Sequence, residues 1–199
     1  MGQRHQLFIK APSSVFAKSK PEEKNNGLTA WHSQWLYGTL PLGVVKRLLK
    51  YDKENASVFK WNGADFGGEP MSMFKDTIKK IMSFDYDNQS LMRFSDEGQY
   101  LLNNYLAGDN NDGLTFLIFE DGKRPKYGFM TGNETGGNSM EDGVIVSAKH
   151  YIDCYYPIGA NERAQMLRGV GAQLAEFIDE HADLLTNEEV KELFPKMNK

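Results

Sequence analysis

Cysteine is nearly absent: Cys154 is the one thiol in a chain of 199 residues. A lone thiol closes no internal disulfide, and no Cys/His set stands at zinc-ligand spacing, so neither a disulfide scaffold nor a zinc module is expected. No run of eighteen apolar residues is present, which argues against a transmembrane helix. The opening residues Met1 to Phe8 lack the apolar stretch of a signal peptide, and Gln6 stands where N-myristoylation wants Ser or Thr. Together these absences lead to the expectation of a protein of a reducing, intracellular compartment, with no membrane partner.

What is present has the balance of a folded domain. Hydrophobic residues make up 40% of the chain and charged residues 25%, so wholesale disorder is not expected. The net charge of -4 hides an asymmetry: residues 1–60 hold ten Lys/Arg against four Asp/Glu, and residues 61–199 hold thirteen against twenty-three. A basic N-terminal third opens a nucleic-acid reading. The plainer reading, which we favour, makes Lys18, Lys20 and Lys24 solvated loop charges and Lys46, Arg47 and Lys50 the wet face of a helix.

Periodicity outlines the elements. Residues 3–10 alternate, with His5, Leu7 and Ile9 on one face and Arg4, Gln6, Phe8 and Lys10 on the other, as in a strand. Residues 12–27 are polar and read as a long loop; residues 28–34 form a second strand pairing back on the first. A helix is expected from about Pro41, burying Val44, Val45, Leu48 and Leu49, and another from about Ser72, burying Phe74, Ile78, Ile81 and Met82. Residues 56–70 are ambiguous. Leu114 to Phe119 and Lys126 to Thr131, joined through Asp121-Gly122, predict a hairpin. Val144 to Val146 reads as a third strand of that region. Ser147 is placed to cap a short helix carrying Tyr151, Ile152 and Tyr155, which Pro157 stops. A long helix follows from Asn161 to Leu185 with Ala164, Leu167, Val170, Leu174, Phe177 and Ile178 on its apolar stripe, and Thr186 with Glu189 forms a capping box. Its small residues Gly169, Gly171, Ala172 and Ala175 offer close approach to another element or subunit. The expectation is one α+β domain over 1–199: a small, mostly antiparallel sheet with helices on one face and a helical C-terminal tail from about 160.

Candidate sites cluster near the first two strands. His32 stands among Trp31, Gln34, Trp35 and Tyr37, and with His5 and Arg4 on the paired strand the two histidines form a candidate acid/base couple. A metal site is not expected, since no third ligand lies at a recognisable spacing, and no cofactor motif is present. The competing reading makes His32 a hydrogen-bonded core residue. In Gly108-Asp-Asn-Asn-Asp-Gly113, Asp109 and Asp112 suggest calcium, but Gly108 stands where the first acidic ligand belongs and the distal Glu is missing. A tight turn into the following strand explains the same residues. Cys154 reads as a small apolar residue on a helix rather than as a nucleophile.

Three stretches carry a resemblance: Gly2-Gln-Arg-His-Gln-Leu-Phe8 opening a strand, His32-Ser-Gln-Trp-Leu-Tyr-Gly38, and Asn110-Asn-Asp-Gly-Leu114 before an apolar strand. They resemble a group of uncharacterised viral, bacteriophage and fungal proteins. The resemblance spans roughly the first 120 residues and implies a strand pair followed by a helix, with no established activity. Twelve per cent aromatic residues and no catalytic constellation favour a non-enzymatic protein, and the resemblance implies one of viral or phage type. Such a protein acts by macromolecular binding, as a virion accessory, a modulator of host proteins or a homo-oligomer. A small hydrolase or transferase built on His5 and His32 is the alternative, and nucleic-acid binding through the basic third is the second.

Overall fold

The computed structural model describes residues 5–20, 27–33, 36–54, 70–83, 93–95, 112–132 and 144–193. In chain order the elements are β1 (His5–Lys10), α1 (Ser13–Ala17), β2 (Leu28–Ser33), α2 (Leu40–Glu54), α3 (Pro70–Ser83), β3 (Arg93–Ser95), β4 (Gly113–Ile118), β5 (Lys126–Thr131), α4 (Ala148–Tyr155), α5 (Glu162–His181), β6 (Asp183–Leu184) and α6 (Asn187–Leu193). The chain is α+β, as expected. The sheet is mixed rather than mostly antiparallel, with strand order β3-β2-β1-β4-β5-β6. β1 pairs antiparallel with β2 but parallel with β4, and β5 pairs parallel with β6. The hairpin of β4 and β5 is antiparallel, as its Asp-Gly turn predicts.

Strand alternation sends alternate residues into two cores. Leu7, Ile9, Trp31, Leu117, Tyr127 and Phe129 share one face with the buried side chains of α1, α2, α3, α4 and α5. Each fully buried aliphatic or aromatic side chain contributes about 1.5–3 kcal/mol, so this face dominates stability. Phe8, Leu114, Phe116 and Met130 point to the other face, which is also buried and where Leu185 and Val190 of the C-terminal region pack. Helices therefore occupy both faces, not one. β1 and β4 are buried along nearly their whole length because both faces are covered, which accounts for their continuous apolar runs.

Several local expectations hold. α2 buries Val44, Val45, Leu48 and Leu49, and α3 buries Phe74 and Ile78. Ser147 caps α4 by accepting the His150 amide at 3.1 Å. Thr186 and Glu189 exchange the two bonds of a capping box, at 2.9 and 3.2 Å. Glu189 also takes a hydrogen bond from Lys126, which holds its carboxyl below the usual range.

Others are corrected. The loop at 12–27 contains α1, whose Val15 is fully buried. Val144 to Val146 contributes a single bridge to Phe129, not a strand. The C-terminal segment is helical but interrupted: Asp183 and Leu185 amides bond to the Pro125 and Tyr127 carbonyls at 2.9 and 2.7 Å, so β6 joins the sheet between α5 and α6. The expected stripe of α5 is rotated. Gly171, Ala175 and Ile178 are buried, while Val170 is exposed. Of the small residues, Gly171 and Ala175 face inward, where α4 lies close: a Cβ on Gly171 would meet the Ile152 side chain at 2.7 Å; Gly169 and Ala172 are exposed. The ambiguous segment lies, over 56–69, outside the described residues.

Candidate functional site

Segments distant in sequence meet at one end of the sheet. The register sets His5, first in β1, between Ser33, last in β2, and Gly113, first in β4. The three motifs that carry the sequence resemblance thus adjoin in space. Gly113 has φ 108°, and a Cβ there would meet the Met130 carbonyl oxygen at 2.1 Å, so only glycine can start β4 this way. The Asn-Asp-Gly stretch ends in a turn into a strand, as the plainer reading had it; the rest of that stretch, Asp109 included, lies outside the described residues.

His5 and His32 are not brought together. His32 pairs with Gln6 and His5 pairs with Ser33, and since strand residues alternate, positions 5 and 32 belong to opposite faces of the sheet. The register offsets the two positions of the expected acid/base couple by one residue. His5 is fully buried, its Nε2 is 2.7 Å from Thr115 Oγ1, and its ring meets the Tyr151 ring edge-on at 6.1 Å. Trp31 is core, with its indole N–H donating to Thr29 Oγ1 at 3.0 Å. Tyr37 is exposed at the rim. Arg4, Gln34 and Trp35 lie outside the described residues.

The residues that complete this cluster come from α4. Its N-cap fixes the phase of the helix, and Tyr151 and Tyr155, four residues apart, then share one face. Tyr155 donates to Asp112 Oδ1 at 3.1 Å, and Tyr151 donates to the Asp112 backbone carbonyl at 3.4 Å. Tyr156 packs edge-on against Tyr155 at 5.0 Å. Gly38 sits over it with φ 59°, where a Cβ would lie 2.2 Å from the Tyr156 hydroxyl. Sequence reading assigned Tyr151 and Tyr155 only to an apolar face. The missed signal was a pair of hydroxyl-tipped aromatics at i and i+4, which need acceptors once buried.

Electrostatics define what the cluster can do. Burial pushes the Tyr151 and Tyr155 hydroxyls well above their ordinary range, and the Asp112 carboxylate pushes them further. They remain protonated donors at any physiological pH, so they anchor Asp112 rather than act as bases. Burial likewise raises the Cys154 thiol, and Asp153 adds to the effect, which disfavours the thiolate a nucleophile needs. Among the described residues no three His, Cys, Asp or Glu side chains are grouped to hold a metal ion, and no helix is long and apolar enough to cross a membrane.

The outer face of α5 has the opposite character. Met166 is 64% exposed and Val170 45%, and Ile158 in the preceding turn is 81% exposed. Gly169 lies between the first two with no atom within 4 Å of where its Cβ would be. Beside this face a cleft of about 480 Å3 is lined by Lys149, Ala172, Ala175, Glu176, Asp179 and Glu180. No family model matches this chain, and no curated protein or solved structure is similar to it.

Proposed function

We propose that the protein works by binding another polypeptide through the outer face of α5 and the turn before it. One observation carries this reading. Of the large apolar side chains that are exposed among the described residues, half fall in the segment from Ile158 to Val170. Apolar surface grouped in this way, rather than scattered, is the mark of a contact surface. The buried histidine and the protonated tyrosines at the sheet end favour this reading over hydrolysis or group transfer. A viral or phage setting, as a virion accessory or host-protein modulator, is carried by the three N-terminal motifs alone.

The test is a photo-reactive residue placed at position 166, with a second placed on the exposed Lys50 as control. The expected result is a discrete covalent adduct from position 166, identified by mass spectrometry and lost when Val170→Glu is added. Equal labelling from both positions, or none from 166, overturns the reading.

A second reading has its own observation. α2 and α3 hold seven Lys/Arg against three Asp/Glu in a chain that is acidic as a whole. Arg47, Lys50, Tyr51, Glu54, Lys80 and Ile81 line a groove of about 340 Å3 between these helices. That combination of cations and an aromatic ring suits a nucleic-acid strand. Binding of a labelled single-stranded oligonucleotide that weakens with salt and is lost in Arg47→Ala/Lys80→Ala supports it; no salt-dependent binding removes it.

A further inference from the structure

We infer that the occupant of the α5 face is a second copy of the same chain, docked with the two α5 helices antiparallel. This rests on the binding role proposed above and names the partner. Among the exposed positions of α5, Arg163, Met166, Gly169, Val170, Gln173 and Glu176 follow one another at three- and four-residue spacing, with Ala172 beside them and the carboxylates of Glu162 and Glu180 at the two ends. The row is polarised: its cation lies toward the N-terminus, its anion toward the C-terminus, and its apolar residues and its gap lie between.

A two-fold axis passing between Gly169 and Val170 makes that row complementary to itself. Gly169 then faces Val170 of the second copy, so each valine side chain enters the open space that the other glycine leaves. Met166 lies across Gln173, covering its aliphatic stem. Arg163 meets Glu176, and symmetry repeats every pair twice. A parallel arrangement would instead stack Arg163 on Arg163 and Glu176 on Glu176, and would fill the glycine gap with nothing. Antiparallel helices also oppose their dipoles favourably. The contact from Arg163 to Glu176 runs about 20 Å along the helix. A contact of that length is at the small end of specific interfaces, so the dimer dissociates in the micromolar range rather than persisting on dilution.

Sedimentation of the full chain over about 1–200 µM tests this. The expected result is a reversible monomer–dimer equilibrium. Arg163→Glu or Glu176→Arg alone places like charges opposite one another twice and raises the dissociation constant about tenfold or more. The double variant R163E/E176R restores it to within about threefold, and an equimolar mixture of the two single variants forms a heterodimer tighter than either homodimer. Both positions changed are exposed, and circular dichroism of each variant confirms that the fold is kept. A wild-type chain that stays monomeric at 200 µM overturns the inference, as does a double variant no tighter than the singles. The two proposals fail separately: an adduct from position 166 with a different polypeptide keeps the binding role and removes the dimer, while no adduct removes both.

Discussion

The sheet end around Asp112 and the outer face of α5 invert the ordinary partition of residue types. At the sheet end a carboxylate, an imidazole and three tyrosines are buried or half-buried; Tyr151 and Tyr155 bond to Asp112, and His5 bonds to Thr115. On α5, methionine and valine stand in solvent around a gap. Polar groups withdrawn from water are costly unless they are partnered, so the first region is explained by folding: it locks the starts of β1 and β4 to α4. Apolar groups left in water gain only when something covers them, which is why association is proposed for the second.

The largest effect expected from breaking this contrast is at Tyr151. Its ring is fully buried between His5 and Phe129. Tyr151→Ala should cost about 4 kcal/mol in denaturant unfolding, while Tyr151→Phe, losing only a long hydrogen bond, should cost about 1 kcal/mol. Equal losses for the two would mean that the hydroxyl, not the packed ring, holds the sheet end.

Asp112 comes next. Asp112→Ala should cost about 2 kcal/mol, because the Tyr155 hydroxyl loses its acceptor while still half-buried. Asp112→Asn keeps an acceptor but removes the charge, so the Tyr155 hydroxyl should titrate nearer its ordinary value. The tyrosinate absorbance band followed toward high pH reads this directly. An unshifted curve in Asp112→Asn would show that burial alone sets that hydroxyl.

Two glycines of α5 separate its faces by sign. Gly169→Ala adds a methyl into open space in a helix and should stabilise the monomer by about 1 kcal/mol. Gly171→Ala drives its methyl against Ile152 and should destabilise by about 1–3 kcal/mol despite the same gain in helix propensity. Gly169→Ala also narrows the space opposite Val170, so thermal stability should rise while self-association falls. Parallel movement of the two quantities would break the link between the gap and the dimer.

Much of the fold was legible because local signals were strong. The N-cap at Ser147, the capping box at Thr186 and Glu189, the Asp-Gly hairpin and the buried stripe of α2 each depend on neighbours in sequence. The parallel pairing of β1 with β4 was not legible, since it joins residues more than a hundred positions apart and leaves no local pattern. The phase of α5 was misread for a related reason. An apolar stripe was sought, but α4 approaches so closely that the buried ridge had to be small, and Val170 was left outside. His5 and Asp112 were found by residue type; their chemistry was not, because it depends on the tyrosines of α4 and on a register that puts position 32 on the far face.

Asp153 ties the two regions together and gives the smallest effect. It projects from α4 and accepts from Arg168 of α5 at 2.6 and 3.1 Å and from Lys149 at 3.1 Å. Partial burial pulls its carboxyl upward, but the hydrogen bonds from Arg168 and Lys149 outweigh that, and the group lies below its ordinary 3.8. The folded state therefore holds this proton more weakly than the unfolded chain does. Its contribution is fully present above about pH 4 and is lost as the pH falls through the lowered value. Because the Asp153 side chain is more than a third exposed and Lys149 is 72% exposed, solvent screens these pairs and the loss is modest. Urea midpoints at about pH 6 and pH 3, measured below the concentration of dimerisation, should fall less on acidification in Asp153→Asn than in the wild type. Added salt should shrink the difference between the two chains, as expected for an ion pair that clasps α4 to α5 at the surface. An acid response identical in both would place the coupling of the buried cluster to α5 in the Gly171–Ile152 contact alone.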